Sequence, residues 1–545
     1  MSYTLSIVCS VKKIGKQPVG LGKQDGYASV LILFFFAAIM LAVYSLYDSG
    51  WVATERIRLQ NTADNTVYSV VNTQTRDHNM IAITNRAMVA NQVAIGQYIG
   101  LVSWSSAVNE FAQNIETLGD LAELFPGVGT VIARITDVIA RVTATMVSVL
   151  ERGSGFIALQ EGIITALGGL QLANHGMTLG SAQAVYEDIL TRNDPDVDNS
   201  VILSAFNVKA FFDNWNTTIA SYDRDKVKQS RFGGNEKTTQ RFFEFGNLVN
   251  DSRDGFSAQR SYRWFGRFNL GIMSAWAEKN GGSDFFAMPP DGTRRRNAVH
   301  WNWTAADTIS AWQRWRYIFG STTTELPLGW GAAHALNKDI SGNTFGYYSD
   351  RALRNSMQHT HTANNNWQNV NYNSNGNLRG WGAASSNNNA FRMLRLPAIG
   401  GHRSESYEEN NIKDTTGLID FHDLTSDKKV DEMPAFTLFI SKPASALRLR
   451  RNIEADATDF TRSSTFDIAE TGSVPSNRLY AMASAKSYFA RPQEPAVRGR
   501  TAPWQIQWGR HDGLREYANL YNPFWQTTLA PSEQAALPVL VDKVF

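Results

Sequence analysis

Thiols are almost absent from this 545-residue chain: its single cysteine is Cys9. Beyond the first few residues no disulfide framework and no thiolate metal site can form, so the fold must rest on apolar burial. Cys9 itself, with no small-residue lipidation signal around it, reads as an inert thiol in a leader. Proline is missing between Pro18 and Pro126, which leaves more than a hundred residues free to stay helical. Charge is missing from Gly26 to Tyr47, a run of twenty-two residues reading GYASVLILFFFAAIMLAVYSLY. As a helix it would cover roughly 33 Å, enough for a ~30 Å hydrocarbon core. A surplus of either charge is missing too. With 52 basic and 50 acidic residues the net charge is +2, which argues against a nucleic-acid partner.

What precedes the apolar run orients it. Lys12, Lys13, Lys16 and Lys23 stand against Asp25 alone, so the leader is expected in the cytoplasm and the bulk outside. A cleaved secretory signal is the rival, but its core is usually only ~7–15 residues and ends at a small-x-small site. Here the run ends in Tyr44-Ser45-Leu46-Tyr47-Asp48. The expected organisation is a basic cytoplasmic leader over 1–25, a transmembrane helix over 26–47, an extracytoplasmic helical stalk and bundle over 48–230, and an aromatic- and Asn-rich β-containing domain over 231–545. The fold class is α+β.

Within the helical part, Trp51 suits a membrane interface and the helix is expected to continue past Gly50 as a stalk. Ile81, Met88, Ile95 and Val102 recur every seven residues, a stripe that needs a partner helix within the chain. Pro126-Gly127-Val128-Gly129 breaks the pattern, and the spacing of Val131, Ile132, Ile135, Val138, Ile139, Val142 and Met146 predicts a helix ending at Gly153-Ser154-Gly155. Two shorter helices are expected after it, Ile157 to Leu172, ending near Asn174-His175-Gly176, and Ser181 to Leu190. Together they suggest an antiparallel bundle.

The composition changes near residue 230: twelve of the fifteen tryptophans and thirteen of the sixteen prolines lie beyond it. Phe436 to Ile440 and Trp504 to Trp508 alternate as strands do. Residues 361–390 are asparagine-rich, a long loop or polar strands. Trp301, Trp303, Trp312, Trp315 and Tyr317 crowd together. Trp312, Trp315 and Ile318 keep helical spacing, so burial in a core is expected rather than sugar stacking.

Chemistry-bearing motifs are scarce. His359-x-His361 has no helper ligand and reads as polar loop residues. Asp194-x-Asp196-x-Asp198 lacks the glycine and distal acid of a calcium loop and reads as a solvated acidic turn. Arg294-Arg295-Arg296 follows Pro289-Pro290-Asp291-Gly292 and reads as a solvated turn. No nucleophile elbow, phosphate loop or dinucleotide fingerprint is present. No catalytic residue, cofactor or metal site is expected.

One stretch carries a resemblance. The basic leader, Gly26 before the apolar helix, and Asp48-Ser49-Gly50 through Arg58-Leu59-Gln60-Asn61-Thr62-Ala63-Asp64 are similar to Tad/Flp pilus-assembly proteins of the TadE/TadG-like type. Those proteins pair a membrane helix with a small-residue break and an "RLQNAADAAA"-like helix. Thr84 to Asn91 and Tyr517 to Trp525 resemble large relatives of the same group. The resemblance implies a non-enzymatic pilin-like component in a bacterial inner membrane, single-pass, with its bulk periplasmic or extracellular. Its implied partners are pilin-like or secretion-apparatus proteins. It makes Gly26 and Tyr27 a candidate prepilin-type processing site, although Leu31 stands where processed pilins carry glutamate. It implies no metal at Asp339-x-Ser341-x-Asn343, which lacks the second serine of a von Willebrand A-type motif. Ala28, Ser29, Ala37 and Ala38 are the candidate helix-packing residues in the membrane. The alternative is an envelope-anchored adhesin or polysaccharide-binding protein acting through the C-terminal domain.

Overall fold

The computed structural model describes residues 25–122, 153–198, most of 207–222, 237–260, 262–269, 271–287, 301–337, 411–415, 419–425, 431–443, 446, 478–491 and 514–532. The class is α+β. Its spine is α1 (Asp25–Ala122), a single helix of 98 residues, about 147 Å at 1.5 Å per residue. It passes through Asp48-Ser49-Gly50 without a break, because no proline interrupts it and Thr54 Oγ1 donates back to the Gly50 carbonyl at 2.9 Å.

From Val30 to Leu46 the large apolar side chains of α1 are exposed, whereas from Leu59 onward its apolar residues enter the core. Val52 already packs against that core and Glu55 is buried. The helix continues past Gly50 as its sequence predicts, and the packed body begins within about two helical turns of Tyr47.

The stripe at Ile81, Met88, Ile95 and Val102 is buried as its spacing predicts. Its helical partner is α2 (Ser154–Asn193), 40 residues long. The expected break near Asn174-His175-Gly176 does not occur. Both side chains before Gly176 bond to Asp77 of α1, so cross-helix contacts hold the chain helical where local signals favour a stop.

Three sheets cover α1. β8 (Phe436–Pro443), β9 (Arg478–Phe489) and β10 (Trp525–Ala530) form an antiparallel sheet ordered β10-β9-β8. Leu438, Ile440, Ala481 and Ala483 from it share one cluster with Leu59, Val67 and Val71 of α1 and with Tyr186 and Leu190 of α2. The five-stranded sheet runs β2 (Tyr262–Asn269), β3 (Met273–Ala287), β4 (Trp301–Tyr317), β5 (Gly320–Asn337), β6 (Asn411–Thr415), antiparallel except for the β5–β6 pair. It packs on Ile95, Ile99 and Val102, together with α3 (Lys237–Asp251). A short antiparallel pair, β1 (Ile219–Tyr222) with β7 (Phe421–Leu424), joins the two clusters.

The five-stranded sheet approaches α1 through a glycine notch. A Cβ at Gly96 would lie 2.5 Å from the Trp303 indole, and one at Gly100 would lie 2.6 Å from the Arg260 guanidinium. Arg260 in turn grips Asp307 with two bonds of 2.9 Å, while buried Lys279 also contacts Asp307. Burial and then the Arg260 charge, opposed by Asp307, bring the Lys279 ammonium down to about 8.

The helical reading of Trp312, Trp315 and Ile318 is corrected. β4 is a strand in which every second residue, Trp303, Ala305, Asp307 and Ile309, is buried. A spacing of three fits a helix and a strand end equally, and the period of two settles it. Trp303 lies in the core, but Trp315 and Tyr317 are exposed and the β4–β5 turn, Ile318-Phe319, is 92% and 100% exposed. The strand expected at Phe436–Ile440 is β8; the one at Trp504–Trp508 lies outside the described residues.

Candidate functional site: the apolar helix and its seat

The apolar run is the first part of the site. Residues Gly26 and Tyr27 lie in α1, and so does Ala28. Ser29, Ala37 and Ala38 are exposed. At 100° per residue, Ala28 and Ala37 stand nine residues and so about 180° apart, as do Ser29 and Ala38. Helix geometry spreads the four small residues around the helix, at about 0°, 100°, 180° and 280°, and not along one stripe. The helix is long and apolar enough to cross a membrane, and none of that stretch is buried. The leader lysines lie outside the described residues.

Where α1 meets the body, a buried ion cluster fixes it. Lys442 of β8 donates from Nζ to Glu55 Oε2 at 2.9 Å and to Asp194 Oδ2 at 2.9 Å, with the Asp194 carboxylate at the end of α2. Arg58 Nε stands 3.7 Å from Asp194. Burial pulls the Lys442 ammonium down, but the hydrogen bonds from it to Asp194 and Glu55 outweigh this and hold it above its ordinary value. Three elements are thereby joined by one cation held between two anions. Asp194 is thus no solvated turn residue. Asp198 likewise pairs with Arg478, and Asp196 lies 3.8 Å from Lys442. The acidic triplet is a set of structural counter-ions, because β8 brings a buried lysine beneath it.

Farther along, side-chain amides from the helices serve as strand partners. Asn79 donates to the Trp525 carbonyl and accepts from the Trp525 N–H, both at 3.0 Å. Asn207 brackets Phe439 in the same way at 2.7 and 3.1 Å. Asn85 donates to the carbonyls of His422 and Leu520 at 2.8 and 2.9 Å, and Gln171 of α2 donates to Asn85 Oδ1 at 2.6 Å. Arg86 reaches Asn522 at 3.0 Å. The two remote stretches Thr84–Asn91 and Tyr517–Trp525 therefore meet.

Between α1 and α2 lies a histidine cluster. Asp77 Oδ2 is 2.7 Å from His175 Nδ1 and its Oδ1 accepts from Asn174 at 2.7 Å. The His175 ring packs 5.2 Å from His422 and 5.0 Å from Trp215. Burial, then the His175 charge, lowers His422 to about 4 despite Asp77, and the same two causes lower His78 to about 3. Ser487 Oγ is 3.3 Å from His78 Nδ1, but the histidine paired with Asp77 is His175. Acid, base and hydroxyl thus do not align as a proton relay. Ser487 is also fully buried, out of reach of a substrate. Among the described residues no group of three or more His, Cys, Asp or Glu side chains is placed to hold a metal ion.

His359 and His361, Arg294–Arg296, Asp339-x-Ser341-x-Asn343 and the asparagine-rich tract lie outside the described residues. The sequence reading missed Lys442, Asn79 and Asn207. The one available signal was α1 itself, where polar residues such as Asn79, Asn85 and Gln92 interrupt what would otherwise be a plain apolar seam. The chain matches no protein-family model, no curated protein and no solved structure.

Proposed function

We propose that this chain is a membrane-anchored, non-enzymatic component of a Tad/Flp-like, type IV pilin-related pilus assembly or secretion apparatus. The observation that carries the reading is the unbroken passage of α1 from an exposed apolar segment into the centre of the body. A side chain displaced in the membrane segment moves a rod that is bolted to the β10-β9-β8 sheet through Lys442 and Asn79 and seated on the five-stranded sheet at Gly96. Such a rod couples contacts in the membrane to the position of the outer body, which is a mechanical task. The meeting of the two remote stretches that resemble large family members adds support, since they form one structural unit.

The test is crosslinking from a photoreactive residue at Ala37 or Ala38 in intact cells. The expected result is adducts with pilin-like proteins and co-purification with the secretion ATPase platform. Recovery of neither, in cells that assemble the apparatus, overturns the reading.

A second reading, an envelope-anchored polysaccharide-binding protein, is favoured by the β4–β5 turn. Gly96 faces Trp303 and Gly100 faces Arg260, which holds Asp307, so β4 runs in the direction in which α1 leaves the anchor. Trp315, Tyr317 and Phe319 are then exposed at the end farthest from the anchor. Glycan-array binding that is lost in a Phe319→Ser, Tyr317→Ser double variant would select this reading.

A further inference from the structure

Helix α2 is apolar on two opposite faces. One is occupied: Ile157, Ile164, Ala182, Tyr186 and Leu190 are buried in the core. About 180° around the helix, a glycine followed by a large apolar residue recurs every seven positions: Gly155-Phe156, Gly162-Ile163, Gly169-Leu170 and Gly176-Met177. A Cβ at any of these glycines would meet nothing within 4 Å. On this side Leu159 and Met177 are 60 and 64% exposed and Ile163 and Leu170 37 and 41%. From Ser154 to Tyr186 the only Asp, Glu, Lys or Arg is Glu161, which is buried, and the one histidine, His175, is bonded to Asp77 on the occupied face. A helix that is apolar all round is covered all round when in use.

We propose that this face docks on the same face of a second copy of the chain, α2 against α2 in parallel, with both copies anchored in one membrane. The pattern is self-complementary. Phe156 packs on Tyr98 of α1, but Ile163, Leu170 and Met177 each stand beside a notch, so the knob of one copy meets the glycine of the other. A strict seven-residue repeat keeps that seam in register over four turns of the pattern. Glycine permits the close approach on which parallel helix pairs without charges depend.

The area also selects the occupant. About 30 residues of helix give a face ~45 Å long and ~10 Å wide, so two copies bury on the order of 900 Å². That is below the ~1,200 Å² at which a specific interface between free partners begins. It suffices for copies that a shared membrane already holds upright and at high effective concentration. The parallel orientation thus rests on the anchoring of α1, but not on any particular apparatus.

One other cover, the bilayer, fits poorly. Helix α2 is apolar and long enough to cross one. Its opposite face, however, is bonded to Asp77, Thr84 and Asn85, which lie ~45 Å or more along α1 from Tyr47.

The test uses the full chain in its own membrane. Cys9→Ser removes the one native thiol, and Gly162→Cys or Gly169→Cys is added to it in two differently tagged copies. Oxidation should give a doubly tagged dimer from both variants, at least tenfold more than from Lys209→Cys, an exposed site on another segment. Adding Gly169→Leu, which fills the notch without a clash inside one chain, should cut the Gly162→Cys dimer at least tenfold. Membrane recovery and protease resistance should not change. Absence of the dimer, adducts confined to one chain, adducts with another protein alone, or equal yield with Gly169→Leu would each overturn the proposal. Recovery in the soluble fraction would overturn the anchoring and with it the parallel pair, and fractionation reads that outcome separately from crosslinking.

Discussion

Gly96 lies so close beneath the indole of Trp303 that a methyl group there would stand 2.5 Å from the ring. One residue on the spine thus sets how near the five-stranded sheet can come, and Gly100 does the same for Arg260 one turn later. The cost of each glycine in a helix, roughly 0.5–1 kcal/mol relative to alanine, is accepted for this approach.

The same substitution should therefore have opposite signs at two sites. Gly96→Ala forces the rigid Trp303 ring aside and should destabilise by ~1–3 kcal/mol, overriding the gain in helix propensity. Gly169→Ala meets only open space and should stabilise by about 0.5–1 kcal/mol. Denaturation midpoints of the full chain in detergent would check both. Equal shifts in the same direction would show that the notch is not tight.

Lys442 should be among the most sensitive positions in the chain. Lys442→Met leaves Glu55 and Asp194 buried with only the half-exposed Arg58 beside them, at 4.0 and 3.7 Å, and breaking such a cluster costs about 3 kcal/mol. Replacing all three together, by Met, Gln and Asn, should recover most of that loss, since the desolvated charges go as well. A triple variant as unstable as the single one would refute the account.

Acidification should loosen the contact between α1, α2 and β7. His78 and His422 are held neutral, their folded values near 3 and 4 lying below the ordinary 6.5. The unfolded chain then binds more protons, so stability is complete above about pH 6.5 and falls as pH drops towards the folded values. By pH 5 each histidine should cost about 2 kcal/mol, the two not fully additive because both face His175. His422→Leu should flatten the fall between pH 7 and pH 5. An unchanged slope would mean that other groups govern it.

Much of the helical architecture was legible because its signals are local. An uncharged run needs no tertiary context to be apolar, and the seven-residue stripe from Ile81 to Val102 reports its own buried face. The reading failed where distant partners overrule local preference. Asn174-His175-Gly176 looks like a helix end until Asp77, about a hundred residues away, bonds both side chains. Asp194 looks solvated until Lys442, 248 residues on, lies beneath it. Trp312 and Trp315 sit three apart, a spacing that does not distinguish a helix from a strand until the burial of every second residue is known. Ala28, Ser29, Ala37 and Ala38 are all small residues but share no face, because the turn of the helix separates them.

Cutting the chain at two nearby points should separate anchor from body. Residues Val30 to Leu46 lean on nothing, and the first buried charged group of α1 is Glu55. A chain beginning at Trp51 should therefore be recovered without detergent and remain folded, with the Glu55–Lys442 contact intact and a denaturation midpoint near that of the full chain. A chain beginning at Leu59 removes only eight more residues, but with them Val52, Glu55 and Arg58. Lys442 then keeps only Asp194 as a close partner, with Asp196 at 3.8 Å, and the seat loses its apolar edge. The second chain should be less stable by about 3 kcal/mol, the lower end of the range for a broken buried pair. Protease resistance and midpoints of the two soluble chains give the comparison. Equal stability would place the start of the body beyond residue 58, and the ion cluster would then not be what seats the helix.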